Sequence, residues 1–138
     1  MAYEIKEADD AMAIKEREYG CAEEVRFTKV DSCIGILAKK KGEDMVIGIH
    51  LSLFDEGGNK FDENAVGNVM DCLGEFDEKN VVILGSLGIW ERDLKNYYND
   101  LKNKLNIENE DEQLFSLGPG TYGGKIDNKG KIEKTWIT

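Results

Sequence analysis

Two apolar, β-branched runs, Ile34 to Ala38 and Met45 to Leu53, flank the polar stretch Lys39 to Asp44. That pattern predicts an antiparallel hairpin. Val25 to Val30 alternates and predicts a preceding strand. Upstream, Met1 to Glu24 is dense in charge; its apolar patch Ala11 to Ile14 reads as a first strand, with an amphipathic helix as the rival. Phe54 to Lys60 carries Gly57-Gly58 and reads as a loop. Asp62 to Phe76 places Ala65, Val69, Met70, Leu73 and Phe76 at helical spacing, with Asp62 as N-cap. Asn80 to Gly85 holds the short strand Val81 to Leu84. Glu91 to Leu105 puts Leu94, Tyr97, Tyr98, Leu101 and Leu105 on one helical face. Gly118 to Gly124 is rich in glycine and reads as a break in regular structure. Lys125-Ile126 and Ile132 to Ile137 predict a closing hairpin around Asn128-Lys129-Gly130. Strands outnumber helices and come in hairpins. The expected class is therefore α+β, in one domain spanning 1–138, rather than a doubly wound parallel sheet.

The central hairpin allows a register to be drawn. With the turn centred between Lys41 and Gly42, Ile34 faces Ile49 and Ile36 faces Ile47, forming an apolar face. On the other face Leu37 opposes Val46, Gly35 opposes Gly48, and Cys33 opposes His50. Directly opposed Cβ atoms lie roughly 4.5–5.5 Å apart, which suits a thiol hydrogen-bonded to an imidazole. The two glycines then leave room for a substrate. A slip of one residue would undo the pattern.

Composition narrows the chemistry. The chain carries 28 acidic against 18 basic side chains, a formal charge of −10 that disfavours phosphate backbones and anionic membranes. Solubility explains such a charge; steering toward a basic protein partner is the sharper reading. No apolar run reaches the ~20 residues of a membrane span, and Met1 to Asp10 lacks a signal-peptide core. The expectation is a cytoplasmic protein, or one exported by a signal-peptide-independent route. The 3 cysteines form no Cys-x-x-Cys pair, and there is 1 histidine. Neither a disulfide framework nor a metal site is expected, and no cofactor is implied. Disorder is expected only at the termini and in the acidic run Glu108 to Glu112.

The proposed pair fits nucleophilic catalysis. A free thiol, with a pKa of about 8.5, is mostly protonated at neutral pH; an adjacent imidazole can take that proton and return it to a leaving group. A third group orients the ring, and Thr28, Asp31 and Ser32 are near enough in sequence to serve. Each residue also has a plainer reading. A lone Cys or His on an apolar strand is more often core, Cys72 is packing on its helix, and Cys21 is incidental. Gly118 to Gly124 lacks the Gly-Lys-Ser/Thr ending of a phosphate loop. Asp9-Asp10 and Glu108 to Glu112 lack EF-hand spacing and read as solvated surface.

Ser32-Cys33 entering a strand, with His50 downstream, resembles the signature of the CheD-type chemoreceptor glutamine deamidases, whose catalytic arrangement recurs in the deamidase domains of cytotoxic necrotizing factor-type toxins. Ile5 to Lys15 resembles that family's opening strands, Val82 to Leu105 its glycine-containing strand and later helix, and Gly118 to Ile132 its closing glycine-rich hairpin. The resemblance covers most of the chain at low identity. It implies a β-sandwich-like core flanked by helices, and hydrolysis of a glutamine carboxamide in a protein substrate. Cys33 would be the nucleophile, His50 the base, and Thr28 the ring-orienting residue. Ser32, Gly35 and Gly48 would surround the oxyanion and substrate. The flanks differ from the family pattern. Val30-Asp31 stand where glycines are usual, Thr28 lies one residue closer to the cysteine, and Leu51-Ser52-Leu53 follow the histidine. A diverged bacterial deamidase, an effector rather than a standard chemotaxis enzyme, is the reading that results. The alternatives are a non-catalytic acidic interaction or inhibitor protein that retains the fold, and hydrolysis of a different acyl bond. The oligomeric state is left open.

Overall fold

The computed structural model describes residues 3–137; expectations about disorder at the extreme termini concern residues outside that range. The strands are β1 (Lys6–Glu7), β2 (Glu18–Ala22), β3 (Glu24–Arg26), β4 (Ile34–Lys40), β5 (Val46–Leu51), β6 (Phe76–Gly85), β7 (Leu114–Ser116), β8 (Thr121–Ile126) and β9 (Ile132–Ile137). The helices are α1 (Glu63–Leu73), α2 (Leu87–Asp93), α3 (Lys95–Lys104) and α4 (Glu110–Gln113). A six-stranded sheet runs in the order β1-β2-β5-β4-β6-β7, and a three-stranded sheet in the order β3-β8-β9. The central pairings are antiparallel; β1 and β7 join the edges in parallel. The class is α+β, as the hairpin-rich pattern predicts.

Strand alternation gives the large sheet two buried faces. One presents Ile34, Ile36, Ala38, Ile47, Ile49, Leu51, Val81 and Ile83 to a core shared with Trp90, Tyr98 and Leu101 of the helices. The other presents Leu37, Val46, Val82 and Leu84 to Val25 and Tyr122 of the small sheet. The helices and the small sheet therefore lie on opposite sides of the large sheet.

Local chemistry explains much of this. The carboxylate of Asp62 accepts from the Ala65 N–H at 2.9 Å and starts α1; Gly74, at φ +58, ends it. The helix therefore stops at Leu73, short of the expected Phe76, which begins β6. The single helix expected over Glu91 to Leu105 is two: Leu94, at φ −128 and ψ 36, interrupts the backbone. The buried series Trp90, Leu94, Tyr98, Leu101, Leu105 keeps helical spacing across that interruption, so periodicity could not reveal it.

Three further expectations are corrected. Ala11 to Ile14 is a turn ending in an isolated bridge from Ile14 to Phe27, while β1 and β2 occupy the charged segments either side. The acidic run forms α4 at Glu110–Gln113. The glycine-rich segment is irregular at 118–120, as expected, but 121–124 belong to β8, in which a Cβ at Gly124 would stand 2.8 Å from Leu37. Gly124 lets the two sheets approach each other.

Candidate functional site

The loop carrying Cys33 is clamped by the junction between β6 and α2. The Ser86 N–H donates to the Cys33 carbonyl at 3.1 Å, the Ser86 hydroxyl to the Asp31 carbonyl, and Trp90 Nε1–H to the Ser32 carbonyl at 3.0 Å. Gly85, at φ +118, packs so tightly there that a Cβ would lie 2.5 Å from the Cys33 carbonyl oxygen. Only glycine combines that conformation with that approach.

The hairpin register differs from the expected one by two residues. Ile34 pairs with Leu51, Gly35 with His50, Ile36 with Ile49 and Leu37 with Gly48. The turn sets this offset: Glu43 N–H donates to the Lys40 carbonyl, and Gly42 supplies the left-handed position at φ +76. The loop thus centres one residue later than assumed. A two-residue offset preserves the faces, so Cys33 and His50 still share the side of the sheet that meets β3 and β8. They are diagonal neighbours rather than an opposed pair. Diagonal neighbours are roughly 7–8 Å apart, somewhat less between Cβ atoms. No hydrogen bond joins the thiol to the imidazole; among the described residues, His50 Nε2 has no partner.

Instead, the ring is fixed from the other side. Nδ1 lies 2.9 Å from the Ile14 carbonyl, which can only accept, so Nδ1 carries the proton; in the neutral ring that burial favours, Nε2 keeps its lone pair. The same carbonyl accepts from the Thr28 N–H at 2.9 Å and the Thr28 hydroxyl at 3.4 Å. Thr28 is thus tied to the ring through Ile14, not directly. Asp31 and Ser32, the other candidates for orienting the ring, are exposed and bond α2 and the β6–α2 junction instead. His50 is 0% exposed and stacks obliquely on Phe27, ring centroids 5.5 Å apart. Burial lowers its pKa, against the pull of the Ile14 carbonyl and the Glu16 charge.

Cys33 is 2% exposed. Its S–H donates to Glu16 Oε1 at 3.4 Å. Burial first, then the Glu16 charge and hydrogen bond, push the thiol up to about 12; the Asp31 backbone N–H and Arg17 act in the opposite direction. At rest the sulfur is a protonated thiol.

The room expected beside Gly35 and Gly48 is already filled. A Cβ at Gly35 would fall 2.4 Å from the Phe27 ring, and one at Gly48 2.9 Å from Val25. These glycines admit side chains of the opposing sheet, not a substrate. Space lies on the other side of Glu16, in an open groove of about 570 Å³ lined by Glu16, Arg17, Glu18, Thr28, Asp55 and Asn59 among others. Sequence reasoning missed Glu16 and Arg17. They sit in a charged stretch where nothing in the residue pattern separates them from solvated surface. Arg17 adopts φ +62, unusual outside glycine, and its guanidinium reaches Ser52 Oγ at 2.8 Å, Glu16 at 3.5 Å and Glu56 at 3.6 Å.

Cys21 is exposed on β2, and Cys72 is half-buried against the helical core; neither approaches an imidazole, since the only histidine is bound elsewhere. The sequence matches no protein-family model and no curated protein. Among the described residues no helix is long and apolar enough to cross a membrane.

Proposed function

We propose that this protein is a cysteine-dependent glutamine deamidase, diverged from the CheD type, that acts on a glutamine in a protein substrate. The observation that carries the reading is the state of His50: its Nδ1–H is tied to the Ile14 carbonyl, and its bare Nε2 is held on the sheet face that also bears Cys33. A neutral imidazole with its lone pair uncommitted is the form a general base requires. Thr28, which shares the Ile14 carbonyl, supports the ring-orienting role at one remove. The two packed sheets with helices on the outer face agree with the sandwich that the resemblance implies.

In the reaction, Nε2 takes the thiol proton and Cys33 Sγ attacks the carboxamide carbon. The tetrahedral intermediate expels ammonia, which carries away the proton returned by His50. Water, deprotonated by Nε2, then cleaves the thioester, leaving a glutamate side chain and a restored thiol. The backbone N–H groups around Asp31 and Cys33 are the oxyanion donors in this scheme. No cofactor is required. A partner glutamine on a basic surface would suit the charge of −10.

The test is ammonia release and a mass gain of about one dalton in glutamine-containing peptides, since an amide NH₂ is replaced by OH at the same acyl centre. Both must vanish in Cys33→Ala and His50→Gln. Product that persists in Cys33→Ala would refute the mechanism.

The closed state of Cys33 favours a second reading, a non-catalytic acidic binding protein on the same fold. With the thiol buried and its pKa pushed to about 12, the resting chain is a poor nucleophile. Salt-sensitive capture of a basic partner, equal in the parent and in Cys33→Ala, would select this reading.

A further inference from the structure

The buried Cys33 thiol donates its hydrogen bond to Glu16, a side chain that also lines the open groove. Glu16 stands between the sulfur and the groove, 49% exposed on the groove side and hydrogen-bonded to the thiol on the other. It lies on a short turn, Glu16-Arg17, that leads into β2. Arg17 holds that turn: its N–H donates to the His50 carbonyl at 2.6 Å, and its side chain is anchored on Ser52. The same guanidinium pairs with the free oxygen of Glu16, Oε2, at 3.5 Å. One carboxylate oxygen is therefore on the sulfur and the other on the latch. On the same face of the sheet, the fully buried His50 keeps Nε2 unpartnered.

We infer that Glu16 is an internal product mimic that holds Cys33 in a resting state. The inference rests on the deamidase reading, because its logic is that of the reaction: deamidation of glutamine leaves a glutamate side chain with its carboxylate against the cysteine, and Glu16 is such a side chain in cis. It occupies the substrate's place, adds its hydrogen bond and charge to burial in keeping the thiol protonated, and joins the sulfur to the groove that it lines. Substrate entry requires Glu16 to swing into the groove, which has the volume to receive it.

Two substitutions test this in the full chain. In Glu16→Ala, alkylation of Cys33 by iodoacetamide at about pH 8 should accelerate about tenfold or more, since the block is gone and with it both part of the burial and the charge that raise the thiol pKa. Cys21 and Cys72 serve as internal references and should keep their rates. Glu16→Gln, nearly isosteric and so the safer fold, replaces the mimic with a substrate. Sγ would bond to the introduced amide carbon, ammonia would leave with the thiol proton relayed by His50, and water would hydrolyse the thioester. Position 16 should thus revert to glutamate, a gain of about one dalton in the peptide that contains it. The reversion should be absent when Cys33→Ser is combined with it.

An unchanged alkylation rate in folded Glu16→Ala overturns the resting-state role, and the deamidase reading then stands or falls on peptide deamidation alone. If the thiol is unmasked and Glu16→Ala deamidates peptides, yet Glu16→Gln stays unconverted, the product-mimic role is overturned and the deamidase survives. If the thiol is unmasked but neither reaction occurs, the deamidase reading itself is overturned.

Discussion

The two faces of the large sheet are packed on different terms. Toward the helices, the core is built of aliphatic and aromatic side chains, with Trp90, Tyr98, Phe61 and the isoleucines of β4 and β5 nearly inaccessible. Toward the small sheet, glycines replace side chains at Gly35, Gly48 and Gly124, and His50 is buried with one nitrogen unpartnered. An unpartnered buried polar atom costs on the order of 1–3 kcal/mol, so the second face gives up stability that the first does not. The contrast teaches where to look for chemistry. The helical face is packed with apolar side chains, and the other face buries an imidazole with one nitrogen unpartnered.

That contrast can be broken from the helical side first. Trp90→Ala removes a fully buried ring and its bond to the Ser32 carbonyl, and should cost about 3–5 kcal/mol in denaturant unfolding. A loss below that range would mean the helical face is not the main source of stability. On the opposite face the damage comes from added atoms rather than removed ones. Gly35→Ala drives a methyl into Phe27 and should cost about 1–3 kcal/mol. Pairing it with Phe27→Leu should recover part of that loss, because the two sites touch and their effects are not additive. Asp62→Ala, which removes the cap of α1, should cost about 1 kcal/mol, again on the helical side.

The smallest effect is on pH dependence and belongs to the sheet–sheet face alone. Burial lowers the pKa of His50 in the folded chain below the ordinary histidine value of about 6.5. As pH falls through that value the unfolded chain binds the proton first, so stability declines toward the lower folded pKa. The Tm of the parent should therefore fall on acidification below about 6.5, on top of the carboxylate titrations at lower pH. Glu16, Arg17 and Glu18 are the charged groups that act on the ring, and Phe27 is the uncharged one packed on it. His50→Gln should flatten that segment of the curve; an unchanged slope would show that His50 titrates freely.

Much of the fold was legible because its signals are local. Asp62 capped α1 as its side-chain chemistry requires, and the β4–β5 and β8–β9 hairpins follow from apolar runs parted by turn residues. The face assignment of Cys33 and His50 survived an error in register, because alternation has period two and the offset was two residues. What failed depends on tertiary context. Nothing along the chain marks Leu94 as a break, since its side chain keeps the helical rhythm that its backbone abandons. Gly35 and Gly48 announce missing bulk, but not whether a substrate or Phe27 and Val25 fill it. Glu16 and Arg17 acquire their meaning only when the first turn folds over β5, a contact between residues distant in sequence.

The most direct test uses the fact that the chain has a single histidine. Nitrogen-15 NMR at neutral pH reads the protonation of each ring nitrogen without ambiguity of assignment. A neutral ring with the proton on Nδ1 and a bare Nε2 is expected. A proton on Nε2, in the other tautomer or in an imidazolium, would contradict it.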